Sequence, residues 1–149
     1  DAETSLLEAT ERAPEVFTSD IGGGSSIKRG ILVVADRHFQ KRDLGRCVAI
    51  YRRVGAAVPG DVDIANNEGL FCRDHADALG GRRGQLTDEL RDLYEASYAA
   101  YTRASQLDPS NVRLRNDRAL ILVYSLRREL ELAEEILDSA VRDGRETAQ

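Results

Sequence analysis

Two short stretches constrain this chain more than any other feature: AAVPGDV at residues 56–62 and QLDPSNV at residues 106–112. In each, an apolar helical pattern stops, a proline follows, and a valine opens the next segment. Proline has no N–H and clashes with the preceding turn, so it marks the gap between helices rather than their interior. Taking Pro59 and Pro109 as equivalent aligns the residues around them. Tyr51 pairs with Tyr101, Val54 with Ala104, Cys47 with Ser97, and Gly69 with Ala119. A small residue, a ring and another small residue then follow at i, i+4 and i+7, which is one face of a helix. Small residues admit a neighbouring helix at close range. Gly69 weakens its own helix, so a close helix–helix contact is the reason to expect it there.

The remainder of the chain agrees with an all-α reading. Ala, Leu, Arg and Glu dominate, and they favour helix. The best strand candidate, Ile31–Val34, sits inside a longer helical pattern. Residues 1–27 read as a short amphipathic helix stopped by Pro14, then a Gly/Ser linker, TSDIGGGSS, with a serine placed to cap the next helix. The three glycines do not match the phosphate-loop pattern, because Lys28 precedes Arg29 and not a serine or threonine, so a linker or cap is the main reading and phosphate binding the minor one. From residue 28 the helical period continues to residue 145, broken at KRDLG, VPGD, GGRRGQ, DPSN and SLRRE. Residues 146–149 are a tail.

With these positions in phase, the chain resembles the tetratricopeptide repeat family, whose unit is a helix–turn–helix of about 34 residues. Residues 28–61 carry Ala35, His38, Cys47, Tyr51, Val54 and Pro59 at the matching places. Residues 62–111 carry Gly69, Cys72, Ser97, Tyr101, Ala104 and Pro109, in a unit about 16 residues longer than the pattern. The excess falls in ALGGRRGQLTDELRDLYEA, with the second helix expected to start near Leu86. Residues 112–145 carry Ala119, Ala133, Leu137 and Ala140. The resemblance implies an all-α solenoid of helical hairpins wound into a right-handed superhelix. It also implies a concave groove lined by the first helix of each hairpin. The groove positions are Arg29, Leu32, Asp36 and Phe39; then Asp63, Asn66, Asn67, Leu70 and Arg73; then Arg113, Asn116, Asp117, Leu120 and Tyr124. Asn66 and Asn116 occupy matching positions and can offer both a donor and an acceptor to a peptide backbone. Capping of their own helices is the competing reading. A subtype of the family grips a terminal carboxylate with Lys, Asn and Arg. Asn67 and Arg113 match that clamp, but Leu32, Asp36 and Asp117 do not, and the aspartates would repel the carboxylate.

The expected function is a non-enzymatic scaffold that takes a protein or peptide in this groove. The alternative is an accessory or regulatory domain of a larger enzyme or multidomain protein. Cys72, Arg73, Asp74 and His75 stand side by side, yet consecutive helical residues point about 100° apart and are not expected to converge. No HExxH spacing offers a metal site, and no cofactor is expected. A net charge of −5 argues against a nucleic-acid partner. No apolar run approaches the length of a membrane span. Cys47 and Cys72 are expected in one packing layer, most simply as buried thiols. The last helix has a wide apolar arc through Leu130, Ile136, Leu137 and Val141, a candidate surface for association. The chain contains no Met and starts at Asp1, so it is expected to be part of a longer protein.

Overall fold

Local chemistry sets the helix limits. The computed structural model describes residues 1–146, so the assigned tail lies outside the described residues beyond its first member. Seven α-helices are present among them: α1 (Ala2–Arg12), α2 (Ile27–Gln40), α3 (Leu44–Ala57), α4 (Val62–Ala78), α5 (Asp88–Leu107), α6 (Val112–Leu120) and α7 (Leu130–Glu146). The described residues contain no strand, only an isolated bridge between Gly22 and Ser25. Side-chain oxygens cap five helix starts by accepting from free backbone N–H groups. Asp1 accepts from Thr4 (2.8 Å), Ser26 from Arg29 (3.1 Å), Asp43 from Arg46 (3.0 Å), Asp61 from Ile64 (3.0 Å) and Thr87 from Leu90 (3.3 Å). α3 and α5 each stop just before the proline that follows them. α6 does not stop at Leu120. It widens into a π-helical turn, Ile121–Leu126, and ends at Arg127 in the left-handed region (φ 54°).

The helices pack mainly on their neighbours in the chain: α2 on α3, α3 on α4, α4 on α5, α5 on α6 and α6 on α7. α1 lies on both α2 and α3. It buries Leu7 and Thr10 and ties itself down at each end. Glu11 accepts both arms of the Arg53 guanidinium at 2.5 and 2.7 Å. Glu3 binds Arg46 and lies 2.7 Å from His38 Nε2. His38, placed inward by the repeat pattern, is thus half-buried against a carboxylate from α1. Burial would raise the Glu3 carboxyl, but the bonds from His38 and Arg46 outweigh it and hold the group below the usual carboxylate range.

Two apolar clusters fill the interior. One joins Leu7, Phe17, Ile31, Ala35, Ile50, Tyr51 and Ile64. The other joins Cys72, Leu93, Tyr94, Tyr101, Leu114, Leu122 and Ala133. α4 is the seam, with Ile64 in the first, Ala65 and Cys72 in the second, and Phe71 touching both. Of the aligned packing positions, Ala35, Cys47, Tyr51, Gly69, Cys72, Tyr101, Ala104, Ala119, Ala133 and Ala140 are buried, and Leu137 is half-buried. Gly69 lets α4 approach α5 closely. A Cβ there would stand 2.9 Å from the Tyr101 ring. Ser97 Oγ donates to the Gly69 carbonyl at 2.7 Å across the same contact.

The long middle hairpin is pinned where it departs from the others. The connection after α4 passes through Gly80 (φ 94°), and Gly81 lies against the Tyr94 hydroxyl, where any Cβ would stand 2.3 Å away. Tyr94 donates to Asp77 at 2.6 Å, and Arg82 pairs with the same carboxylate at 2.9 Å. α5 therefore begins at Asp88, two residues later than the expected Leu86.

Candidate functional site

Side-chain contacts join α2 to α4 and α4 to α6. Lys28 at the start of α2 bridges Asp61 (2.9 Å) and Asp63 (2.7 Å) at the start of α4. Further along the same two helices, Phe39 meets Phe71 edge-on, with ring centroids 5.7 Å apart. Matching starts and matching later turns mean that α2 and α4 run in the same direction. α6 joins α4 through a long bond, 3.5 Å, from the Arg113 guanidinium to the side-chain Oδ1 of Asn66.

On α2, Arg29 folds back toward the glycine loop and donates to the Gly24 carbonyl at 3.0 Å. Asp36 is exposed and accepts from Gln40, and Leu32 is half-buried. Phe39 keeps 46% of its surface exposed. Behind it, Phe71 stacks flat on Tyr51, with centroids 5.2 Å apart and planes 7° from parallel.

On α4, Asn66 and Asn67 are half-buried and linked to each other at 3.4 Å. Asn67 also donates to the Tyr51 hydroxyl at 3.3 Å. Neither caps its helix, because Asp61 accepts from the first free N–H groups. Asn66 instead reaches sideways toward α6. Leu70 is half-buried beside them. Arg73 corrects the expectation that neighbouring residues do not meet. Its guanidinium donates twice to Asp74 Oδ1, at 2.9 and 2.8 Å. The long arginine side chain bends back over one peptide unit, which a shorter residue cannot do. His75 points elsewhere, with its ring against Gly45 of α3.

On α6, Asn116 is half-buried and makes no side-chain hydrogen bond to the described residues. Asp117 is also half-buried, and its nearest cation is Arg113 at 4.0 Å. Burial raises its carboxyl above the usual range, and the nearby Arg113 and Arg73 only partly offset this. Leu120 is half-buried, and Tyr124, on the π-helical turn, is 62% exposed. The α6 stretch offers a carboxylate and an amide with no side-chain hydrogen bond to the described residues.

Both cysteines are free and buried. Cys47 Sγ donates to the Ala35 carbonyl at 3.4 Å, while Cys72 belongs to the cluster beneath α5. Among the described residues no three His, Cys, Asp or Glu side chains gather as a metal site, and no helix is long and apolar enough to cross a membrane.

Sequence reasoning missed Phe71, which backs the exposed Phe39, and the Glu68–Arg103 pair that locks α4 to α5 at 2.6 Å. Phe71 stands one position from Leu70 and Cys72, and a second count along the α4 stripe would have found it. The ion pair spans 35 residues and has no local signature. No family model, curated protein or solved structure matches the chain.

Proposed function

We propose that this chain is a tetratricopeptide-type solenoid of three hairpins, wound as a right-handed superhelix, and that it serves as a scaffold without catalytic activity. It takes a peptide or a partner protein on the face of α2, α4 and α6. The observation that carries this reading is the state of Asn116 and Asp117. A half-buried amide and a half-buried carboxylate with no side-chain hydrogen bond to the described residues leave donor and acceptor capacity for a ligand to complete. A peptide backbone does so with its N–H and C=O groups, while Phe39 and Leu120 offer apolar contact. The in-phase prolines and the Gly69–Tyr101 approach support the repeat assignment. The mixture of Arg, Asn and Asp on the face favours a polar segment over a terminal carboxylate. A second reading, an accessory domain held against other protein, draws on α7, where Leu130 is 58% and Val141 51% exposed.

The test is selection from a displayed peptide library, using the chain as bait. Selected peptides are then titrated against it and against a triple variant, Asn66→Ala, Arg73→Ala and Asn116→Ala. Affinity at least tenfold weaker in the variant is expected. Equal affinity places binding off this face and sinks the reading.

A further inference from the structure

The side of the molecule built by α3 and α5 contains a cleft of about 570 Å³ that the groove does not use. That is within the size range of small-molecule sites. α3 supplies one wall with Val48, Ala49 and Arg52, and α5 supplies the other with Glu89, Asp92 and Leu93. His75 closes one end beside Gly45.

The α5 wall is made from the extra length of the middle hairpin. With Cys47 and Ser97 equivalent, Tyr94 matches Leu44, the first residue of α3. The turns from Asp88 to Leu93 therefore have no counterpart in α3, and they hold all three α5 residues of the cleft.

The charges in the cleft are set apart rather than paired. Arg52, Glu89, Asp92 and His75 form no side-chain hydrogen bond or ion pair with the described residues. Their neighbours behave differently: Arg53 forks onto Glu11, and Arg103 holds Glu68. Arg52 stands on the α3 wall and Glu89 and Asp92 on the α5 wall, so opposite charges line one cleft without an ion pair between them. Glu89 and Asp92, three residues apart on one helix, lie on the same side. His75, Glu89 and Asp92 do not gather as a metal site, and an organic cation can meet carboxylates without such convergence. Along α3, Arg52 is about 10 Å from Gly45 by helical rise. Val48 and Leu93, both largely buried, are the larger apolar side chains of the lining.

We propose that this cleft binds a free basic α-amino acid, of the lysine or arginine class. Its two cationic groups face Glu89 and Asp92, its carboxylate meets Arg52, and its aliphatic stem lies over Val48 and Leu93. Two negative charges, one positive charge and these apolar side chains match the reversed pattern of such a ligand. The inference is independent of the groove reading.

Isothermal titration of the whole chain tests it, with L-lysine and L-arginine as probes and 1,5-diaminopentane, L-glutamate and a peptide ending in lysine as comparisons. Saturable binding of L-lysine or L-arginine is expected, with the diamine and L-glutamate at least tenfold weaker. Arg52→Ala, and separately Glu89→Gln with Asp92→Asn, should each weaken the basic amino acid at least tenfold. These residues have no partners to lose, and unchanged circular dichroism checks the fold. The triple groove variant should bind as the parent does. No saturable binding of either amino acid at millimolar concentration overturns the proposal. So does preference for the peptide or for L-glutamate, or loss of binding in the groove variant alone.

Discussion

Replacing Gly69 with alanine tests the close approach of α4 to α5 at the Tyr101 ring. Built on the existing backbone, the new Cβ meets Cδ2 and Cγ of Tyr101 at 2.9 Å and Cδ1 at 3.0 Å. The ring is 1% exposed and sits within the larger apolar cluster, so it has little room to turn away. Overpacking of this kind costs about 1–3 kcal/mol. Alanine also removes the helix penalty of glycine, a gain of about 1 kcal/mol. Three ring atoms at or under 3 Å put the cost in the upper half of its range, for a net loss of about 1–2 kcal/mol. In a chain of this size that lowers Tm by about 2–8 °C. Urea unfolding followed by far-UV circular dichroism measures it. Gly144→Ala is the control, because among the described residues its Cβ meets only Val112 Cγ1, at 4.0 Å. That variant should match or slightly exceed the parent. In a Tyr101→Leu background, Gly69→Ala should no longer destabilise, since the ring atoms it strikes are gone. If Gly69→Ala alone is as stable as the parent, the close approach of α4 to Tyr101 is not what requires glycine here.

Arg103→Ala strands the Glu68 carboxylate, whose side chain is only 12% exposed and lies against Gly55. A loss of about 3 kcal/mol is expected, visible as a lower urea midpoint, and Glu68→Gln in the same chain should recover much of it. Asp117→Asn should raise the urea midpoint at neutral pH. The folded-state pKa of Asp117 lies above its unfolded value, so the ionised carboxylate costs stability, and the cost fades as pH falls through the folded pKa. The gap between variant and parent should therefore narrow from pH 7 toward pH 4; a gap that widens reverses the sign of the reasoning. Burial raises the Cys47 thiol and pushes Cys72 up to about 12. Both should resist Ellman's reagent at pH 8 in the native chain and react fully in denaturant, and rapid native labelling of Cys72 would contradict its burial.

The limits of the helices were readable because prolines and capping side chains act over three or four residues. Pro14, Pro59 and Pro109 each fall just past a helix. The faces were readable too, because period alone places Ala35, Tyr51, Gly69 and Tyr101 on one side. Period does not name the partner on the next helix. Glu68 with Arg103, and Glu3 with His38 and Arg46, join residues far apart in the chain, and their side-chain reach decides the meeting. Arg73 shows the same effect at short range, since its length defeats the angular argument that separates it from Asp74. The positions of Asn66 and Asn116 were legible, but whether Asn66 caps its helix or faces sideways was not. That depended on Asp61 taking the cap. Nothing in ILVYSL announces a π-helical turn, and nothing in the extra residues of the middle hairpin announces that they wall a cleft.

The neighbour-to-neighbour packing has a kinetic consequence. Substantial helix contacts all join elements that are next or next but one along the chain. Closing such contacts needs only short loops, so little chain entropy is lost before packing begins to reward it, and folding is fast. α4 and α5 share the most extensive contact and are the natural place for the first structure to form. Growth then proceeds outward in both directions, and opening runs the other way. Among the described residues, α7 makes its substantial contacts with α6 and its π-helical extension. It can lift away while the middle hairpin stays folded, whereas α1, clasped by Arg46 and Arg53 to α3, gives the opposite end a latch.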